Sequence, residues 1–109
     1  MLPYTIEEIT RRITPIAQEY RLTAVYVFGS YARGEATAES DIDLLVDLSG
    51  SNVDTLFVLS ILYEAFENAL ETQIDLITTS SLEQPTDRRS ERRFNDMVKR
   101  ERKIIYGAA

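Results

Sequence analysis

The chain has 109 residues, of which 44% are hydrophobic and 28% are charged, and this length and composition predict one globular domain over residues 1–109. It carries 12 Lys and Arg against 18 Asp and Glu, and the net charge of −6 argues against stable, general binding to nucleic-acid phosphates. The absence of cysteine and histidine excludes disulfides, Cys/His zinc sites and histidine-based catalysis. Chemistry must therefore depend on carboxylates, hydroxyls, backbone amides, lysine or arginine.

Localisation and charge distribution also follow from composition. No basic leader with an apolar core opens the sequence, and no stretch approaches the roughly 18 apolar residues of a membrane span, so we expect a cytoplasmic protein with no membrane contact. Residues 1–86 carry 4 basic and 14 acidic side chains, whereas residues 87–109 carry 8 basic and 4 acidic ones.

The first two predicted elements are a helix and a buried strand. Thr5 and the glutamate three residues later form a capping-box pattern, and apolar residues then recur every three or four positions, which predicts an amphipathic helix over 5–20 with a bend at Pro15. The β-branched and aromatic run 24–28 predicts a strand that ends at a tight turn.

The remaining elements alternate between helix and strand. They are a short helical turn with a loop (31–40), a strand (41–47), a long helix (53–70), a strand (72–78) and a last helix from Asp87 to just before Gly107, with Ile104 and Ile105 in its apolar stripe. The order αβ(α)βαβα predicts an α/β or α+β fold in which helices cover a small sheet.

Two large apolar residues, Val53 and Phe57, fall on the otherwise polar arc of the long helix. They are candidate contacts for a protein partner. The alternative is that a loop or the first helix covers them.

Three aspartates give the strongest chemical signal. Asp41 and Asp43 project from one face of the second strand, and such a pair is costly to bury unless cations lie between the carboxylates. Oxygen ligands on a rigid face suit Mg²⁺. If the second and third strands are neighbours, Asp75 joins them, and three carboxylates around two Mg²⁺ ions suit displacement at phosphorus.

A phosphate-type turn precedes these acids. Gly29 and Ser30 lie where the first strand gives way to a turn, so their amides and the serine hydroxyl can face a terminal phosphate, and glycine permits a close approach. Arg33 or basic residues of the last helix would add positive charge.

The segment 29–46 closely resembles the G-S-x10-D-x-D signature of the DNA polymerase β-like nucleotidyltransferase superfamily. More narrowly, the chain resembles the minimal nucleotidyltransferase (MNT) family of MntA-type antitoxins, which are encoded beside HEPN-domain toxins. The resemblance covers the whole chain in length and element order, and its specificity lies in residues 29–46.

The resemblance implies a mixed sheet of three or four strands, Mg²⁺, ATP, and transfer of AMP to a tyrosine of a HEPN ribonuclease toxin, which adenylylation silences. By position, Asp41 and Asp43 would hold both metal ions, Asp75 would complete the site and help to activate the acceptor, and Gly29 and Ser30 would hold the triphosphate.

Two other functions are compatible with the sequence. The protein could neutralise its partner chiefly by binding and occlusion, or it could transfer a nucleotide to a small molecule or an RNA end, although the chain has no room for the acceptor-binding domain that such enzymes usually carry. The basic residues of the last helix likewise have two interpretations, as a solvated face paired with its own acids or as a contact to phosphates or an acidic partner.

Overall fold

The computed structural model describes residues 4–108 and contains a four-stranded sheet with helices packed on both faces. In chain order the elements are α1 (Ile6–Glu19), β1 (Ala24–Phe28), α2 (Ser30–Arg33), β2 (Ile42–Asp47), α3 (Leu56–Leu70), β3 (Ile74–Thr78), α4 (Thr79–Leu82), α5 (Arg89–Glu101) and β4 (Lys103–Gly107). Within this part of the chain, no helix is long and apolar enough to cross a membrane.

The sheet is mixed, with strand order β3-β2-β1-β4. β1 runs antiparallel to both β2 and β4, while β2 and β3 are parallel, as the crossover through α3 allows. The predicted small mixed sheet covered by helices is therefore confirmed. The edge strands are β3 and β4, and the two central strands carry the turn at Gly29 and the first aspartates.

The main core lies between the sheet and the helices α1 and α3. Alternate residues of the central strands, such as Val25 and Leu44, point towards this layer and are fully buried. The helices contribute the buried side chains of Ile9, Ile13, Ala17, Leu62, Phe66 and Leu70. At the start of α1, the Thr5 hydroxyl accepts a hydrogen bond from the Glu8 amide at 3.0 Å, as the capping box predicts.

A smaller apolar cluster covers the opposite face of the sheet. It contains Phe28 and Leu45 from the strands, Leu82 from α4 and Val98 from α5. Because side chains alternate along a strand, Asp43 shares a face with Leu45 and lies on this thinner side of the sheet. The catalytic candidates are therefore on the side that α4 and α5 only partly cover.

The C-terminal segment corrects one sequence prediction. The helix does not continue to Gly107, because Arg102 adopts an extended conformation (φ −59°, ψ 141°) and residues 103–107 pair with β1 as strand β4. Ile105 is buried against the sheet and Ile104 is 60% exposed, which is the alternation of a strand.

The long helix also begins later than predicted. Thr55 is extended (φ −137°, ψ 160°), and its hydroxyl accepts a hydrogen bond from the Val58 amide at 3.1 Å, so the helix starts at Leu56. Val53 therefore lies in the preceding loop, where it is 7% exposed and packs in the main core. The prediction that Val53 is a surface contact for a partner is wrong for this reason.

Candidate active site

A cavity of about 580 Å³ opens on the thinner side of the sheet, between the ends of β1, β2 and β3 and helix α5. All six residues proposed from the sequence for metal or nucleotide binding line it, together with apolar side chains. Its lining consists of Phe28, Gly29, Ser30, Arg33, Ser40, Asp41, Asp43, Asp75, Leu76, Ile77, Phe94 and Met97. This volume is within the range of small-molecule binding sites.

The parallel register between β2 and β3 brings two of the aspartates together. Asp43 is the direct partner of Asp75 in the ladder, so their side chains lie side by side on the same face of the sheet. Asp41 is exposed and immediately precedes β2, lining the same cavity. Neighbouring strands therefore place Asp43 beside Asp75, and Asp41 lines the same cavity.

The pKa of Asp43 is raised to about 7. Burial of the carboxyl is the largest cause, followed by its hydrogen bond with Asp75 and by repulsion from Asp75 and Asp41, whereas Arg33 acts in the opposite direction. Burial and the neighbouring carboxylates therefore both disfavour the charged form of Asp43. A bound cation would favour that charged form.

This donor set suits Mg²⁺. The strands pair as expected, but among the described residues no three acidic side chains converge closely enough to cage a metal ion, so the predicted convergence of all three aspartates is not met. Mg²⁺ does not require a protein cage, because it is usually held by one or two carboxylates together with water and substrate phosphates. Asp43 and Asp75, with Asp41 at the cavity edge, therefore fit such an ion when it arrives with a triphosphate.

Gly29 makes room for the acidic pair. Its φ of 72° and ψ of −147° lie in a region that only glycine adopts readily. A Cβ at this position would overlap Oδ2 of Asp43 and lie 3.1 Å from its Cγ. The backbone conformation therefore favours glycine, and the missing Cβ leaves room for the Asp43 carboxylate. Ser30 follows as the first residue of α2, whose leading amides have no acceptor within the helix.

Arg33 lines the cavity and joins two elements at its rim. Its guanidinium pairs with Glu35 at 2.8 Å and with Glu101 of α5 at 2.9 Å, and these partners raise its pKa. Its charge is therefore already balanced by two carboxylates. The pair with Glu101 links α2 to the end of α5. A phosphate would have to compete with two carboxylates for this side chain.

An apolar wall faces the acids, and sequence reasoning did not assign it to the site. The rings of Phe28 and Phe94 meet edge to face, with centroids 6.2 Å apart and an interplanar angle of 82°. Met97, one helical turn further along α5, extends the wall. The sequence places Phe94 and Met97 in the apolar stripe of the last helix. Helical periodicity alone does not show that this stripe lines a cavity. An aromatic wall beside carboxylates can hold a planar base while a metal-bound phosphate reaches the acids.

Tyr63 of α3 is a second residue that the sequence did not single out. Its hydroxyl donates a hydrogen bond to the Ile74 carbonyl at 2.8 Å, and Ile74 directly precedes Asp75 in β3. Burial, followed by the negative charges of Glu67, Asp75 and Asp41, raises the pKa of Tyr63. The hydroxyl therefore remains a donor and ties α3 to the strand that carries Asp75.

Some of the basic residues of the C-terminal region have local partners. Arg88 pairs with Glu91 at 3.8 Å, Lys99 pairs with Glu83 at 3.3 Å, and the Arg102 guanidinium lies 4.7 Å from the centroid of the Tyr26 ring. These contacts favour the solvated, paired interpretation for those residues.

Comparisons with known proteins agree with this geometry. The family model described as "Polymerase beta, Nucleotidyltransferase" matches residues 11–107. Protein adenylyltransferase MntA of Thermococcus cleftensis is 38% identical over 86 residues, covering 75% of this chain and 85% of that protein. A solved structure described as a "putative minimal nucleotidyltransferase" is 29% identical with a TM-score of 0.67, covering 92% of this chain and 95% of that one.

A crystal structure of a toxin-antitoxin MntA-HpeT mutant is also similar, with 25% identity, a TM-score of 0.62, and coverage of 90% of this chain and 72% of that one. The family model spans nearly the whole described chain, and the cavity holds the glycine-serine turn and the aspartates of the sequence signature. The chain therefore belongs to the polymerase β nucleotidyltransferase family, and within it resembles the protein adenylyltransferases of toxin-antitoxin pairs.

Proposed function

We propose that this chain is a protein adenylyltransferase that uses two Mg²⁺ ions to transfer AMP from ATP to a tyrosine of a HEPN-type ribonuclease toxin. The modification silences the toxin, so the chain acts as its antitoxin, in the cytoplasm where ATP is available. The register that sets Asp43 beside Asp75, next to Gly29, carries this proposal, because it places carboxylates at a cavity large enough for a nucleotide.

The similar proteins support the choice of reaction and partner. A relative 38% identical to this chain is named protein adenylyltransferase MntA, and a similar crystal structure is that of a toxin-antitoxin pair. A partner protein that brings its own hydroxyl agrees with both of these similarities.

The proposed roles follow from position. Asp41 and Asp43 hold the ions, which when bound would neutralise the triphosphate and lower the pKa of the acceptor hydroxyl. The tyrosine oxygen bonds to the α-phosphorus while the bond from that phosphorus to the bridging oxygen breaks. Pyrophosphate leaves with the electron pair, and the hydroxyl proton passes to Asp75. The turn at Gly29 and Ser30 holds the terminal phosphates.

The test uses the purified chain and the product of the adjacent gene, which the proposal expects to be a HEPN-type protein, incubated with ATP and Mg²⁺. We expect mass spectrometry to find AMP on a tyrosine of the HEPN-type protein, and EDTA to prevent the reaction. The double variant Asp41→Asn/Asp43→Asn should abolish transfer. Asp47→Asn is the matched control, because Asp47 lies on the same strand but outside the cavity lining.

Two outcomes would overturn the proposal. One is the absence of any AMP on the partner with the native chain. The other is full protection of cells from the toxin by the double variant, because protection without transfer would identify occlusion as the antitoxin mechanism.

A further inference from the structure

An apolar patch lies on the surface at the start of α3. Leu56 is 83% exposed, Phe57 is 73% exposed and Ile61, one turn later, is 39% exposed. Together these are three of the five large hydrophobic side chains that are exposed within residues 4–108. Clustered exposure of this kind is typical of interaction surfaces, unlike single exposed apolar residues.

The patch borders a groove that shares one lining residue with the active-site cavity. Leu56, Leu59 and Tyr63 line this groove together with Leu76 of the edge strand β3. Leu76 also lines the catalytic cavity, and Asp75 is its neighbour in the chain. The groove and the cavity therefore meet at one residue, on either side of β3.

Exposed acidic residues flank the patch. Asp54 and Glu64 are exposed at the two ends of the patch, and the ion pairs of the described residues include neither of them. A partner that covers the patch must therefore tolerate or neutralise negative charge.

We propose that the patch formed by Leu56, Phe57 and Ile61, with the groove to Leu76, is the docking surface for the protein that carries the acceptor tyrosine. The inference rests on the proposed function. The occupant is a protein surface whose apolar side chains are flanked by Lys and Arg, because such a surface matches both the patch and its acidic rim. Docking here delivers an acceptor side chain around the edge of β3 to Asp75.

The test compares three variants with the native chain, again using as the probe the product of the adjacent gene, which is expected to be a HEPN-type protein. Leu56→Ser/Phe57→Ser removes the centre of the patch, and Glu64→Lys reverses a rim charge. Ile104→Ser is the matched control, since Ile104 is equally apolar and 60% exposed but lies on β4 at the opposite edge of the sheet. Calorimetry measures the Kd for the probe, and kinetics measure the KM values for the probe and for ATP separately.

We expect the double variant to raise the Kd and the KM for the probe at least about tenfold while the KM for ATP is unchanged. Glu64→Lys and an increase of salt from about 0.05 M to about 0.5 M should both weaken binding. Ile104→Ser should behave as the native chain.

The outcomes separate the two proposals. If the native chain binds the probe but transfers no AMP, the proposed function fails while the docking surface is still tested by the Kd. If transfer occurs and the double variant retains the native Kd and KM for the probe, the docking surface is overturned. It is also overturned if sedimentation shows that the native chain is a dimer which the double variant converts to monomer, because the patch would then bind a second copy.

Discussion

Replacing Gly29 with alanine should disrupt the active site more than it disrupts the fold, and Gly34 provides the control. Both glycines have positive φ, at 72° and 75°, so both substitutions place an alanine in a backbone conformation that L residues rarely adopt. At Gly34 nothing lies within 4 Å of the added Cβ. At Gly29 the added Cβ would overlap Oδ2 of Asp43. The pair therefore separates backbone strain from displacement of a carboxylate.

The expected magnitudes follow from this difference. Gly34 is in the ordinary left-handed region (ψ 24°), so Gly34→Ala should cost about 1–2 kcal/mol of stability and leave AMP transfer intact. Gly29 (ψ −147°) is in a region almost confined to glycine, where the backbone alone costs roughly 1–3 kcal/mol. Moving the Asp43 carboxylate by about 1 Å should also lower kcat on the order of 100-fold.

Urea unfolding measures the stability of the two variants, and single-turnover AMP transfer to the partner measures their activity. Circular dichroism at the assay temperature establishes that each variant is folded. The reasoning is refuted if folded Gly29→Ala transfers AMP within a few-fold of the native rate, or if Gly34→Ala loses activity to the same extent.

Three further predictions concern charge, packing and the cavity wall. In EDTA, the raised pKa of Asp43 means that between about pH 4 and pH 7 the carboxyl keeps its proton in the folded state and loses it in the unfolded state. The free energy of unfolding therefore falls as the pH rises through this range. The contribution of the protonated carboxyl to stability is full below pH 4 and is lost as the pH rises through 7. Asp43→Asn should therefore be more stable than the native chain by about 1–2 kcal/mol in urea unfolding near pH 8, a value reduced for the partial exposure of Asp43, and equal stability would contradict this. Val53→Ala should destabilise the protein by about 1–2 kcal/mol and Phe57→Ala by less than about 0.5 kcal/mol, because only Val53 is buried; thermal unfolding of the two variants checks this. Phe94→Ala should raise the KM for ATP severalfold with little effect on stability, because Phe94 is 42% exposed at the cavity edge, and an ATP KM identical to that of Ile104→Ala would exclude a role for the ring in nucleotide binding.

The acidic centre could be predicted because the determinants are local. Strand alternation places Asp41 and Asp43 on one face from their spacing alone. Placing Asp75 beside them required one assumption, namely that the second and third strands pair. A helix between two strands favours their parallel pairing, because parallel neighbours need a long crossover connection. The glycine-serine turn follows from its position at the end of an apolar strand.

The C-terminal strand could not be predicted in the same way. Between residues 87 and 106 there is no glycine or proline, so no residue marks the change from helix to strand at Arg102. Ile104 and Ile105 also fit the helical period of the preceding stripe. Pairing with β1, a contact distant in sequence, decides the conformation.

The start of α3 was misplaced for a related reason. Val53 extends the apolar period of the helix backwards, and periodicity alone does not show where a helix begins. The signal was Thr55, a residue type that caps helices, and its cap moves Val53 into the loop and the core. The cavity wall was missed because it depends on α5 bringing Phe94 against Phe28.

The charge distribution explains why the site and the proposed docking surface lie side by side. Residues 34–87 supply no cation, and the nearest one before them, Arg33, is already paired with Glu35 and Glu101. The carboxylates of β2 and β3 and the acids around α3 therefore cannot be balanced by basic residues of their own segment. Under the proposed function, metal ions that accompany the nucleotide would offset the charge at Asp43 and Asp75, and the docked partner would offset the charge at Asp54 and Glu64. The two ligands would then relieve different parts of the same excess of negative charge, which favours a reaction in which nucleotide and protein acceptor are bound together.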